Sequence, residues 1–144
     1  FSLMLKQQIE KFIINGRESA KRPCFGFQGN SLKVYIDWAF SRNYLILSSD
    51  EKGINGIAIA YPLPEAFNGD KVKLLPFDTE IATETDKDLC VLDWFATNID
   101  GRISLVYQFM NRFPNWKNQK KYGMQSGVTK ELSNKYINLL TLKY

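Results

Sequence analysis

Proton transfer in this chain has few candidate carriers. The 144 residues include no histidine. That removes imidazole bases, imidazole metal ligands and every Ser-His or Cys-His relay. Cys24 and Cys90 stand far apart, without the spacing of a metal knuckle, so no metal site is expected. What remains is a carboxylate, a tyrosine or a thiol. Asp93 stands out because it interrupts the apolar run Leu89–Phe95. A carboxylate in such a run must be paired or hydrogen-bonded, and one shielded from water can act as a general base. The structural alternative is a pair with Arg42 or a lysine. Cys90, in the same run, reads as a buried free thiol, a poor nucleophile with no base beside it. Just beyond, Asn98-Ile99-Asp100-Gly101 reads as a turn that feeds a helix from Arg102. A helix N-terminus offers unpaired N–H groups and a partial positive charge, which suit phosphate. A glycine lets the phosphate reach the backbone.

Charge is distributed unevenly along the chain. The formal net charge is +4. Asp78, Glu80, Glu84, Asp86 and Asp88 crowd one stretch, with Lys87 among them, which suggests a solvated acidic loop. Arg112, Lys117, Lys120, Lys121 and Lys130 occupy a stretch with no acid. Mixed with Phe113, Trp116 and Tyr122, these bases match the composition of a single-strand nucleic-acid surface, a phosphate patch or a protein interface. Trp38, Trp94 and Trp116 fit core or interface positions better than base-stacking platforms, so nucleic acid is not the expected partner.

These residues need elements to position them. Apolar residues make up 44% and charged residues 24% of the chain, a balance that excludes wholesale disorder and fits one domain over 1–144. No apolar run approaches the roughly 18–20 residues of a membrane span. Leu5, Ile9, Phe12 and Ile13 predict a first helix, capped by Ser2 and stopped at Asn15-Gly16. Residues 17–29 read as loop. Leu32, Tyr35, Ile36, Ala39 and Phe40 predict a second helix over 31–42. A hairpin follows, with strands from Tyr44 and from Ile54 around Asp50-Glu51-Lys52-Gly53. In its second strand Ile57, Ile59 and Tyr61 face one way. Ala58 and Ala60 face the other, where something must approach closely. A short strand is possible at Val72–Leu75, and Leu89–Phe95 is a central strand. Leu105, Val106, Phe109, Met110 and Phe113 line a helix that stops at Pro114. A short strand at Lys120–Gln125 and a last helix over Lys130–Leu142 complete the order. The fold class is α/β, a mixed central sheet flanked by helices.

This order, together with the hairpin text GINGIAIAYP, the strand LCVLDWFATN and the helix GRISLVYQFMNRF, resembles the GCN5-related N-acetyltransferase superfamily. The sequence Leu92-Asp93-Trp94-Phe95 also resembles the aspartate-bearing strand of toxin-activating lysine acyltransferases and their phage-encoded relatives. The resemblance implies an acyl-CoA N-acyltransferase fold, acetyl-CoA or another acyl-CoA as cofactor, and an amine as acceptor. It places Phe95, Ala96, Asn98, Gly101, Arg102 and Ile103 at the cofactor, with the pyrophosphate on the turn at 98–103 and the pantetheine arm between the strands near Thr97 and Tyr122. It implies Asp93 as base and Tyr136, in the last helix, as the acid for the departing thiolate, with Tyr107 as a rival. Three features depart from the family pattern: Asn98 at the first turn position, Ile103 where a second small residue is usual, and Asp100 where the pyrophosphate would lie. The toxin-activating branch uses a histidine that this chain lacks. The alternative is a catalytically silent copy of the fold that serves as an interaction or structural protein, for example in a phage particle. The expected setting is cytoplasmic or within such a particle.

Overall fold

The computed structural model describes residues 2–19, 30–63, 84–125 and 128–135. Within them lie helices α1 (Leu3–Ser19), α2 (Asn30–Ser41) and α3 (Ile99–Arg112), and strands β1 (Leu45–Asp50), β2 (Gly53–Pro62), β3 (Leu89–Ala96), β4 (Lys121–Gln125) and β5 (Val128–Leu132). The strands form one five-stranded sheet in the order β1-β2-β3-β4-β5. All neighbours pair antiparallel except β3 and β4, which run parallel. The architecture is therefore α/β with a mixed sheet, as the sequence pattern led us to expect.

The two faces of β2 explain how the layers fit. Ile57, Ile59 and Tyr61 are buried toward the helices that precede the sheet, and the Tyr61 ring meets Trp38 of α2 edge-on at 5.2 Å. Gly56 starts the opposite face, where a Cβ would stand 3.1 Å from the Leu105 side chain of α3. Alternation puts Ala58 and Ala60 on that same face. The close approach predicted over the two alanines is thus the packing of α3. Ile9 and Ile13 of α1, Leu32, Tyr35 and Ile36 of α2, and Leu105, Val106 and Phe109 of α3 are fully or almost fully buried.

Several boundaries differ from the sequence reading, each for a local reason. Ser2 does cap α1, accepting from the Leu5 amide at 3.1 Å. The helix does not stop at Asn15-Gly16 but continues to Ser19. Gly16 is a contact point: a Cβ there would lie 2.5–2.9 Å from the Phe95 ring. Phe40 is 44% exposed, and Trp38 takes the expected place in the core. Helix α3 begins at Ile99, ahead of Arg102, because Asn98 caps it. The segment Val128–Leu132 is a strand paired with β4, not the start of a helix at Lys130. Asn134 and Lys135 are helical, while Tyr136 and the predicted helix beyond it, Val72–Leu75 and Cys24 lie outside the described residues.

The charge runs are also partly consumed inside the fold. Glu84 is no free loop acid, since both its oxygens accept from Arg112, at 2.8 and 3.2 Å. Lys121 is 1% exposed, and its ammonium donates to the carbonyls of Trp116 and Gln119, both at 2.5 Å. Trp116 is itself buried. No helix among the described residues is long and apolar enough to cross a membrane.

Gly16 gives a test of the α1 contact whose sign is informative. In an exposed helix interior, Gly→Ala stabilises by about 1 kcal/mol. Here the added methyl meets Phe95, and overpacking of this kind costs about 1–3 kcal/mol. Gly16→Ala should therefore lower the urea midpoint of unfolding, and a rise would show that α1 does not press on β3 at this point.

Candidate functional site

Asp93 sits where β3 is least regular. Its φ of 52° is left-handed, a region that aspartate tolerates better than most residues. The β2–β3 register shifts beside it, between Ile57 and Ile59. Its carboxylate faces α1, where Arg17 holds it with two parallel bonds, Nε to Oδ1 at 2.7 Å and an Nη to Oδ2 at 2.8 Å. The pair is largely dry, with side-chain exposures of 11% and 9%. The Tyr35 hydroxyl of α2 lies 3.4 Å from Oδ2, a long contact. The partner is thus neither Arg42 nor a lysine. Arg17 is missing from the sequence reading because α1 was expected to end at Gly16. Yet Ile9, Ile13 and Arg17 form one stripe at i, i+4 and i+8, and a charge that extends a buried stripe signals a buried partner.

Two more ionisable groups continue this cluster on the same side of the sheet. Cys90 pairs across the strands with Tyr61, and both are buried. Burial pushes the Cys90 thiol up to about 12; the Tyr61 hydroxyl works against that rise, and the Asp93 charge adds to it. Burial, then the Asp93 charge, raises Tyr35 well above the usual tyrosine value. Burial also raises Tyr61, helped by the nearby thiol. Cys90 is a free, inert thiol, as its place in an apolar run suggested.

The turn at 98–103 closes on its own side chains and on β2. The Asn98 side chain accepts from the Gly101 amide at 2.8 Å, and the Asn98 carbonyl accepts from Arg102 at 3.1 Å. Gly101 is buried, and the position its Cβ would take is filled by the Asn55 carbonyl of β2. That carbonyl also accepts from the Thr97 amide at 2.9 Å. The Asn55 amide lies 3.3 Å from Asn98 Oδ1 and 3.5 Å from an Asp50 oxygen, which the Asn98 amide also approaches at 3.4 Å. Asp50 and Asp100 together place two carboxylates at the positive end of the helix. The sequence reading did not single out Asn55 or Asp50; their hairpin position alone does not place them beside α3.

The remaining candidates scatter. Phe95 lies against Gly16 on the α1 side, and Ala96 pairs with Gly56. Arg102 is exposed and Ile103 is half-buried in the first turns of α3. Tyr107 is 51% exposed on the outer side of that helix. The structure therefore brings Asp93 and Phe95 together beneath α1, and Asn98 and Gly101 together beside the hairpin. Strands β3 and β4 pair at Leu89–Lys121 and Cys90–Tyr122, two register pairs, although each strand runs on. Among the described residues, no group of acids and cysteines could hold a metal ion. Comparison with family models, with curated proteins and with solved structures finds no match for this chain.

Two outcomes test this cluster. Arg17→Met or Asp93→Asn alone strands a largely buried partner, which costs about 3–5 kcal/mol, and the double variant should cost less than the sum. Additivity in the double-mutant cycle would mean that the two do not interact. The tyrosines and the thiol predict alkaline behaviour. The unfolded chain releases these protons near pH 8.5–10, roughly, while the folded chain keeps them. Their raised values add stability that is complete below that range and lost progressively as pH rises from it through the higher folded values. The urea midpoint should fall above about pH 9, and Tyr61→Phe should make the fall shallower. An identical slope in that variant would remove Tyr61 from the account.

Proposed function

We propose that this chain is a non-catalytic protein on an acetyltransferase-like α/β scaffold, working as an interaction or structural subunit of a larger assembly. The observation that carries this reading is the partner of Asp93. An amine must give up a proton before it can attack an acyl group. The carboxylate best placed in the sequence for that task has both oxygens engaged by a guanidinium, which does not give up its own proton under working conditions. Arginine can hold Asp93 in place but cannot relay a proton for it. The turn at 98–103 supports the same reading. Its glycine is spent on contact with the Asn55 carbonyl, its amide is capped by Asn98, and two carboxylates stand where a pyrophosphate would need positive potential. These residues do not fit the phosphate end of an acyl-CoA.

A second reading, an acyl-CoA-dependent N-acyltransferase acting on an amine, is favoured by one observation. Pairing between β3 and β4 stops after Cys90 and Tyr122, and the slot that the resemblance implies for a pantetheine arm lies between those strands. On that reading Asp93 serves as base and Tyr136 as acid, and Arg17 must first release the carboxylate.

Acetyl-CoA separates the two readings. A ligand of the folded state at ten times its Kd adds about 1.4 kcal/mol of stability, which moves the melting temperature of a domain this size by roughly 3–5 °C. The non-catalytic reading predicts no shift at millimolar acetyl-CoA or CoA. A saturable rise of several degrees would reverse it in favour of the acyltransferase.

A further inference from the structure

Among the described residues β1 closes one side of the sheet, with β2 as its one strand neighbour. The Tyr44 carbonyl accepts from the Ala60 amide at 3.0 Å. Antiparallel pairing alternates, so the peptide groups of Ile46 and Ser48 also turn toward β2, and those of Leu45 and Leu47 turn outward. An outward row of this kind is a template for another strand. The local sequence makes the template a good one. Tyr44-Leu45-Ile46-Leu47-Ser48 is uncharged, largely apolar and free of proline and glycine. Helix α3 reaches over this row. Its Ser104, Gln108 and Arg112 stand at i, i+4 and i+8, in one stripe along the helix. The Gln108 amide nitrogen donates to the Leu47 carbonyl at 3.0 Å and to Ser104 Oγ at 2.9 Å. Both N–H bonds of that amide are thereby used. Arg112 donates to the Asn43 carbonyl at 2.7 Å, just before the strand. At the far end the register shifts between Ser48 and Ser49, and Asp50 adds an exposed charge. Charge and irregularity thus blunt the two ends of the edge. Gln108 covers its middle.

We propose that the β1 edge is a latent self-association surface of this protein, and that Gln108 is the guard that keeps it closed. The occupant it excludes is β1 of a second copy, laid antiparallel across a two-fold axis with Ile46 opposite Ile46. That contact uses the same uncharged row on both copies, so it is self-complementary. The outward residues would then exchange hydrogen bonds, Leu45 of each copy with Leu47 of the other. Each Leu45 amide would donate to the other copy's Leu47 carbonyl, the group that Gln108 already holds. Pairing therefore requires both copies to break the Gln108 bond first. Ser104 opposes that step, because it fixes the amide from the helix side. Arg112 opposes it one turn on, since Glu84 anchors the guanidinium beside the Asn43 carbonyl. The guard acts on the bare edge of the sheet and is the same whether or not the protein binds an acyl-CoA.

Sedimentation velocity and residue-resolved amide exchange on the full chain test the guard. Gln108→Leu removes the donor and keeps the bulk of the side chain. Self-association of this variant should tighten by about tenfold or more relative to the parent. The Leu45 and Leu47 amides should become protected as its concentration rises, while in the parent their exchange stays independent of concentration. Sedimentation and exchange equal to the parent's would overturn the proposal. Leu45→Pro, added to Gln108→Leu, takes away an outward N–H that β2 does not use. It should return the protein to parental sedimentation. A dimer that survives the proline forms through another surface, and that result would overturn the role of the β1 edge. If Gln108→Leu does not fold, Gln108→Asn decides in its place, because its amide is one methylene too short for the Leu47 carbonyl.

Discussion

Asp93 places a negative charge inside the sheet, and the chain has to answer it there. Desolvating a carboxylate is costly unless a well-aligned cation and hydrogen bonds replace the lost water. Arg17 supplies both, and in doing so fixes much else. It sets the rotation of α1, because Ile9 and Ile13 share its stripe and are fully buried. It sets the height of α1 over the sheet, because Gly16 lies one residue before it and touches the Phe95 ring. It also secures a backbone conformation that a regular strand would not adopt. A pair of this kind adds little net stability over apolar residues of the same size. Its contribution is to make one arrangement of helix and strand much better than its neighbours.

On the other side of the sheet the constraint is space rather than charge. Gly56, Ala58 and Ala60 present a nearly flat surface, and α3 lies against it, with the Gly56 position 3.1 Å from Leu105. The N-terminal end of α3 comes closest of all, since Gly101 leaves its Cβ position to the Asn55 carbonyl. A helix that approaches a strand this closely must satisfy its first amides within the chain. Asn98 does so for Gly101, and Asp50 in turn orients the Asn98 and Asn55 amides. The opposite end of α3 is closed in a similar way. Gln108 donates to the Leu47 carbonyl on β1 at 3.0 Å, and Arg112 donates to the Asn43 carbonyl at 2.7 Å.

The elements with strong local signals were legible. The hairpin follows from Asp50-Glu51-Lys52-Gly53 between apolar runs, with Gly53 at a φ of 122°. The stripes of α1 and α3 follow from their periodicity, and the small face of β2 foretold a close neighbour. Signals that depend on distant partners were not legible. Gly16 reads as a stop until Phe95 is known to lie beside it. Val128–Leu132 carries alternating residues too few to outweigh the helical spacing of the apolar residues beyond it, and only β4 makes it a strand. Asp93 was conspicuous as a buried charge, but its left-handed backbone and its choice of Arg17 over Arg42 come from the packing of three elements, which no window of sequence contains.

The basic stretch shows the same dependence in its electrostatics. Counted along the chain, Arg112 to Lys130 is a patch without an acid, but two of its members do not face solvent as free cations. Arg112 stacks over Phe113 at 4.8 Å and Tyr44 at 5.4 Å while it grips Glu84. Lys121 turns inward to the Trp116 and Gln119 carbonyls, and burial lowers its pKa while the Glu131 charge opposes that shift. Both cations close the chain around the 113–120 turn, where Gln119 also donates to the carbonyls of Glu84 and Lys87 at 2.7 and 2.8 Å. The aromatic rings that suggested base stacking are occupied by the same closure, with Trp116 buried and the Lys121 ammonium 5.7 Å from its ring centre. A surface that stacks bases needs exposed ring faces and unpaired cations together. This turn uses its buried rings and two of its cations, Arg112 and Lys121, to hold its own backbone.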